Sequence, residues 1–456
     1  MTPVVRFAPS PTGRLHIGNV RTAVLNWLFA RKNGGSVVLR LDDTDAERVT
    51  EAYADDIRRD LAWLGLVWDR EERQALRTAR YAEAAAVLKA AGRLYPCYET
   101  EEELERKRRS QALRHLPPLY DREALRLTDE QRRQYEAEGR RPHWRFLLAN
   151  ADPGGAGKPV PTLVHWNDLV RADQSVDISS LSDPVLIRVD GTCLYTFSSV
   201  VDDIDFGITH VIRGEDHVTN TGVQIQIFEA LGASPPAFAH HGLLVDVDGK
   251  ALSKRMGSLS LERLREDGLE PMAIVSHAAL IGTSEPLAAH ADIRELEALF
   301  DFAKLSRTPA RFDIDQLRML NGRLLHGMDY AKVESRLQAM GVGGDAAFWT
   351  AVRGNLTVLQ DAKDWWQVVA GEIAPIIEEE ALLAAAADVL PDEPWNETTW
   401  ASWTAQVAAR TGRKGRALYH PLRLALTGRE AGPELKVLLP LMGRERALSR
   451  LRGARA

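Results

Sequence analysis

The stretch RFAPSPTGRLHIGNVRTAVLNWLFAR, Arg6–Arg31, is where the fold of this chain is decided. Just upstream and into it runs VVRFAP, a short β-branched segment that predicts a strand. IGNVRTAVLNWLFARK then predicts a helix: Val20, Val24, Trp27, Leu28 and Arg31 fall at i, i+4, i+7, i+8 and i+11, and Gly34-Gly35 stops it. SVVLRLDD predicts a second strand and EAYADDIRRDLAWLGL a second helix. Strand, turn, helix and strand in so short a span imply a parallel pair with a right-handed crossover, hence a doubly wound α/β domain. Its ligand belongs at the carboxyl ends of the strands, where APSPTGRLHIG lies.

Within that turn, Gly13 and Gly18 have the spacing of a P-loop, but a P-loop continues with Lys and Ser/Thr where this chain has Asn19-Val20. No G-x-G-x-x-G is present either. What remains is a helix N-terminus with free N–H groups, preceded by His16. An imidazole there suits hydrogen bonding to an α-phosphate as charge builds during nucleophilic attack, and Gly18 would let a nucleotide lie against the backbone. A second element is DGKALSKRMG, residues 248–257, after the apolar run HHGLLVDV. Ser253, Lys254 and Arg255 on that loop suit the β- and γ-phosphates of ATP leaving as pyrophosphate.

Composition sets the outer bounds. The 456 residues hold only Cys97 and Cys193, which excludes a disulfide framework and a cysteine-rich zinc site and suits a reducing cytoplasm. The N-terminus has no secretory pattern, and no apolar run reaches the roughly 18 residues of a membrane helix. The net charge of −6 hides an asymmetry. Residues 370–400 carry eight acidic and no basic side chains, whereas 410–456 carry twelve Lys or Arg against three Glu. Such a tail is either a solvated face or an RNA footprint. Residues 99–139 read as charged, helical insertion, LYTFSSVVDDIDFGITHVIRGEDH as strand, turn and strand, and everything from about Asp313 as helix.

Taken together, HIGN and ALSKR resemble the paired signature motifs of the class I aminoacyl-tRNA synthetases. RFAPSPTGRLHIGNVRTA, LRLDDTDAER, ITHVIRGEDHVTNT, DGKALSKRMG and LRLALTGREAGPELKVLLPLMGRERALSRL are similar, in order and across essentially the whole chain, to the glutamyl-tRNA synthetases of bacteria. The helical tail departs from glutaminyl-tRNA synthetases, whose anticodon-binding part is β-barrel.

The resemblance implies a Rossmann-like catalytic domain in two halves, residues 1–97 and 193–240. It further implies an inserted acceptor-stem-binding subdomain at 98–192, a stem-contact region at 241–312 and an all-α anticodon-binding domain at 313–456. His16, Gly18 and Lys254 become the catalytic residues, and ATP with Mg2+ is held by His16, Gly18, Asn19, Asp216, Ser253, Lys254 and Arg255. Arg213 is the expected partner of the substrate γ-carboxylate, with Arg6, Ala8, Ser10, Asp42, Tyr195 and Ser199 around it. Asp45 and Arg48 lie where the family positions the tRNA 3′ end. The expected partners are L-glutamate and tRNA(Glu), with tRNA(Gln) as a second candidate, for a monomer away from membranes.

Three departures from the family pattern stand out. Asp42 replaces the Glu that holds the substrate ammonium. Ala251 replaces the first lysine of the signature loop, with Lys250 beside it. Glu99 stands where a second zinc-binding Cys would follow Cys97, so no metal is expected. Asp42 and Ala251 keep a catalytically impaired tRNA-binding paralogue as the alternative. His210, His240 and His241 read as strand-packing residues, and the tryptophans at 365, 366, 395, 400 and 403 as helical core.

Overall fold

The computed structural model describes residues 2–45, 47–150, 160–250, 252 and 259–456. Ala251, Ser253, Lys254 and Arg255 therefore lie outside the described residues. The chain divides into two compact units: Met1–Arg263 with Ala278–Leu287 and Asp292–Phe312, and Leu264–His277 with Ala288–Ala291 and Asp313–Ala456.

The first unit opens with β1 (Val4–Phe7), α1 (Ile17–Lys32), β2 (Ser36–Leu41), α2 (Glu51–Trp63) and β3 (Arg70–Arg73). β1, β2 and β3 form a parallel sheet in that order, with Val4 opposite Ser36 and Val38 opposite Arg70. α1 spans the residues that its periodicity predicts and buries Val20, Val24 and Leu28. After α3 (Thr78–Ala90) come β4 (Leu94–Cys97), α4 (Glu101–Leu113), α5 (Asp129–Ala137) and β5 (His143–Phe146). They are followed by β6 (Leu163–Asp168), β7 (Ala172–Asp177), β8 (Val185–Ile187), α6 (Tyr195–Asp205), β9 (His210–Gly214), α7 (Val218–Ala230) and β10 (Ala237–His241).

β9 and β10 pair in parallel, β6 pairs in parallel with β10, and β7 is the antiparallel edge. The N–H of Thr209 donates to the Val4 carbonyl at 2.9 Å, which lays β9 along the free side of β1. The strand order thus runs outward from the β1–β9 junction in both directions, and this is the topological switch point where α/β folds bind ligands. The span 98–192 does not pair as one body. β4, β5 and β8 make an antiparallel sheet of their own, while the β6–β7 hairpin joins the sheet of β9 and β10.

One expectation is corrected. LYTFSSVVDDIDF, read as strand from its aromatic and β-branched residues, is the helix α6. Its polar residues repeat at helical spacing: Ser198 and Asp202, then Ser199 and Asp203, are all buried.

The second unit is helical, as expected. Its core gathers Trp349, Trp365, Trp403 and Leu438, with Trp366, Trp395 and Trp400 packed around it. Trp403 is fully buried and its indole N–H donates to the Ala386 carbonyl at 2.9 Å. No described helix is long and apolar enough to cross a membrane.

Candidate active site

At the switch point lies a cleft of about 800 Å³, lined by the signature stretch from Arg6 to Thr22, the β9 end from Ile212 to Gly214, and Asp42, Tyr195 and Asp216. Extended backbone at His16 turns into α1, and two reciprocal bonds form the cap. The Gly18 N–H donates to His16 Nδ1 at 3.1 Å, and the His16 N–H donates to Asn19 Oδ1 at 3.2 Å. Because Nδ1 accepts, the ring proton sits on Nε2. Burial holds the imidazole below its ordinary value, so it is neutral at pH 7. Gly18 has a second reason to lack a side chain: a Cβ there would meet the His16 ring at 3.0 Å.

The flanks of the ALSKR loop are anchored to this stretch. The Leu261 N–H donates to the Leu15 carbonyl at 2.8 Å, and Ser260 forms a β-bridge with His16. On the other side Asp246 Oδ1 accepts the N–H groups of Asp248 and Lys250. The described residues Leu252 and Leu259 line the cleft.

Two arginines expected to grip carboxylates stand in unlike surroundings. Arg6 is buried and its Nε donates to Asp203 Oδ1 at 3.2 Å. Arg213 is equally buried, but its partners are neutral: Tyr195 Oη at 3.1 Å, Thr221 Oγ1 at 2.7 Å and His240 Nε2 at 3.2 Å. Among the described residues no carboxylate lies within 4 Å of it, and burial lowers its pKa. Each nitrogen is spent once, which leaves one N–H on each terminal nitrogen. A buried cation without an anion is costly unless a ligand supplies one.

The remaining expected residues separate by position. Ala8, Ser10, Asn19, Arg48, Tyr195 and Asp216 line the cleft with Arg6, His16, Gly18 and Arg213. Asp42 lines it too, but its carboxylate is gripped by Arg40 at 2.7 and 3.1 Å, and burial raises its pKa to about 6. Ser199 is fully buried behind the wall, where its Oγ accepts from Arg40 at 3.1 Å. Asp45 lies off the cleft and pairs with Arg48 at 3.9 Å.

Sequence reasoning missed Arg40, Asp203, Asp168, Thr221 and His240. The i, i+4 Ser–Asp pairs of α6 would have pointed to Asp203. His240 was noticed but read only as packing.

It also missed His143, which β-pairing sets opposite Cys97. Cys97, Glu99 and His143 bring ligand atoms within 4.8 Å of one another. Tyr120 Oη donates to Glu99 at 2.6 Å, Lys107 lies 3.6 Å from Glu99, and Arg145 stacks on Tyr120. Three donors are one short of a closed zinc site, and two cations already face them, so the set does not suit a dication.

Comparison with known proteins decides the family. The family model "tRNA synthetases class I (E and Q), catalytic domain" matches residues 3–319, and "Anticodon binding domain" matches 374–455. The chain is 60% identical to glutamate–tRNA ligase 2 of a Methylobacterium species over 100% of both chains. It is 57% identical to glutamate–tRNA ligase 1 of a Chelativorans species, over 99% of this chain and 100% of that one. The chain belongs to the glutamate–tRNA ligases. Among solved structures, a glutamate–tRNA ligase from Elizabethkingia meningosepticum in complex with its amino acid matches with a TM-score of 0.85 at 26% identity, covering 99% of this chain and 98% of that one. As a class I ligase the enzyme uses ATP.

Proposed function

We propose that this ligase selects glutamate through Arg213. The observation that carries the reading is a buried guanidinium, at the switch point, whose described partners are all neutral. A substrate γ-carboxylate supplies the missing anion, and Tyr195, already bonded to Arg213, closes the pocket. Glutamine, with a neutral amide, would leave the charge unpaired. Arg6 holds the α-carboxylate side with Ser10 and Ala8, and Asp42, pinned by Arg40, faces the ammonium.

Activation needs no protein nucleophile. The α-carboxylate attacks the α-phosphate in line, and His16 Nε2–H, the N-terminus of α1, Asn19 and Asp216 orient the nucleotide. Ser253, Lys254 and Arg255 take the departing pyrophosphate by the sequence reading. Mg2+ would screen the phosphates, with Asp216 the cleft carboxylate suited to it. Transfer then places glutamate on the terminal adenosine of tRNA(Glu), with Asp45 and Arg48 beside that nucleotide and tRNA(Gln) as a second acceptor to be tested. The enzyme works as a monomer in the cytoplasm.

The test is ATP–pyrophosphate exchange in the presence of tRNA. Exchange driven by glutamate and lost in Arg213→Ala is expected. Exchange that prefers glutamine, or that survives Arg213→Ala with an unchanged KM for glutamate, overturns the reading.

A further inference from the structure

Arg213 is itself held, and the group that holds its Nε stands outside the cleft wall. His240 is fully buried on β10, directly opposite Arg213 in the β9–β10 register. Its Nε2 lies 3.2 Å from Arg213 Nε and 3.0 Å from Thr221 Oγ1, and its Nδ1 lies 2.5 Å from Asp168 Oδ2. The other oxygen of Asp168 is fully occupied: Oδ1 accepts the main-chain N–H groups of Val170 at 3.0 Å, Arg171 at 2.9 Å and His240 at 3.1 Å.

A guanidinium only donates, so His240 Nε2 must accept. The ring proton is then on Nδ1, donated to Asp168. Burial keeps the ring neutral, which preserves that acceptor.

We propose that Asp168 and His240 are positioning residues for glutamate recognition: Asp168 fixes the tautomer of His240, and His240 Nε2 fixes the plane of Arg213 so that its two unspent N–H groups are presented to the substrate. The inference rests on Arg213 being the carboxylate-binding residue.

Asp168→Asn tests it sharply. Three main-chain donors keep the amide oxygen at the Oδ1 position, so the amide nitrogen replaces Oδ2 against His240. A donor there forces Nδ1 to accept, moves the proton to Nε2, and sets that N–H against the N–H of Arg213. In glutamate-dependent exchange with tRNA present, KM for glutamate should rise on the order of 30-fold, the loss of one charge-assisted bond. kcat should stay within about threefold, as for an interaction made equally in ground and transition states.

His240→Gln carries an amide oxygen out to the Nε2 position and should bring KM back to within about fivefold of wild type. His240→Asn stops short of Arg213 and should match Asp168→Asn in KM. Urea midpoints separate folding from recognition, and nitrogen-15 NMR of the wild-type enzyme reads the tautomer whether or not a variant folds.

A folded Asp168→Asn with unchanged KM, equal losses in the Gln and Asn variants, or a wild-type proton on Nε2 would overturn the proposal. Arg213→Ala in parallel separates the two claims. A raised KM in Arg213→Ala without one in Asp168→Asn sinks the relay alone, and an unchanged KM in Arg213→Ala sinks the pocket reading itself.

Discussion

Arg213 in the catalytic unit and Arg450 in the helical unit are both buried cations without an Asp or Glu partner among the described residues, and they are buried for opposite ends. Arg450 donates to four main-chain oxygens, those of Val368, Leu426, Gly371 and Ala456, at 2.7 to 2.9 Å. Burial lowers its pKa to about 10, but the hydrogen-bonding capacity of its head is almost used up in tying loops and helices together. Arg213 makes three bonds to side chains and keeps two N–H groups in reserve. Arg40 marks a third solution, neutralised by Asp42 and by Asp203 at 2.8 Å. Burial and charge are alike in all three. What sets Arg213 apart is unspent donors at a cleft.

Substitution should break the comparison cleanly. Arg213→Ala is expected to lower kcat/KM for glutamate on the order of a thousandfold with little change in the urea midpoint, because the charge it removes was already uncompensated. Unfolding of that variant well below the wild-type urea midpoint would make Arg213 structural after all. Arg450→Met should do the reverse. It removes the Arg450 donors to the oxygens of Val368, Leu426 and Gly371 and leaves that of Ala456 only the Ile373 N–H, and it should cost about 3 kcal/mol in the helical unit, read by fluorescence of the buried Trp365 and Trp403. Glutamate-dependent exchange at 25 °C should stay near wild type; a matching loss of activation would erase the contrast.

A smaller effect belongs to Gly18→Ala. The added Cβ would stand 3.0 Å from the His16 ring and must push it, so kcat for activation should fall roughly tenfold while KM for glutamate holds. The pH profile sharpens the same point. The pKa of His16 is lowered from 6.5 by burial, so the unfolded chain takes up the proton first. The bond from Gly18 to Nδ1 contributes in full above about pH 6.5 and fades as pH falls through the lowered folded value. Activation should follow that acid limb, and a ring displaced toward solvent in Gly18→Ala should move the limb upward. An unmoved limb would detach it from His16.

The sequence made part of this site legible because its chemistry is local. Gly13, His16, Gly18 and Asn19 lie within one turn and helix start, and Arg6 and Arg213 lie in the short segments VVRFAP and ITHVIRG that read as strands. The relay behind Arg213 was not legible, since Asp168, Thr221 and His240 meet only through strand order and a helix placed beside it. α6 was misread because Tyr195, Phe197, Val200 and Val201 favour strand, and only the buried network with Arg6, Arg40 and Arg77 makes the helix pay. Asp42 shows the same limit: its identity was visible, its capture by Arg40 was not.

The least expected effect comes from a chelator. The Cys97 corner has a thiol, a carboxylate and an imidazole within 4.8 Å, and Glu99 Oε2 and His143 Nε2 are buried there without a hydrogen-bond partner among the described residues. Zinc would take one donor atom from each of these three residues. Against it, burial raises the Cys97 thiol to about 12 and lowers His143 to about 4, and Lys107 and Arg145 already oppose a second positive charge. A metal would have to strip a proton from that thiol and bind beside two cations with only three protein ligands. Treatment with EDTA should therefore leave Tm unchanged, and the purified enzyme should carry no stoichiometric zinc. One equivalent of zinc, with a Tm drop on chelation that His143→Gln reproduces, would show that the third strand ligand outweighs the missing cysteine.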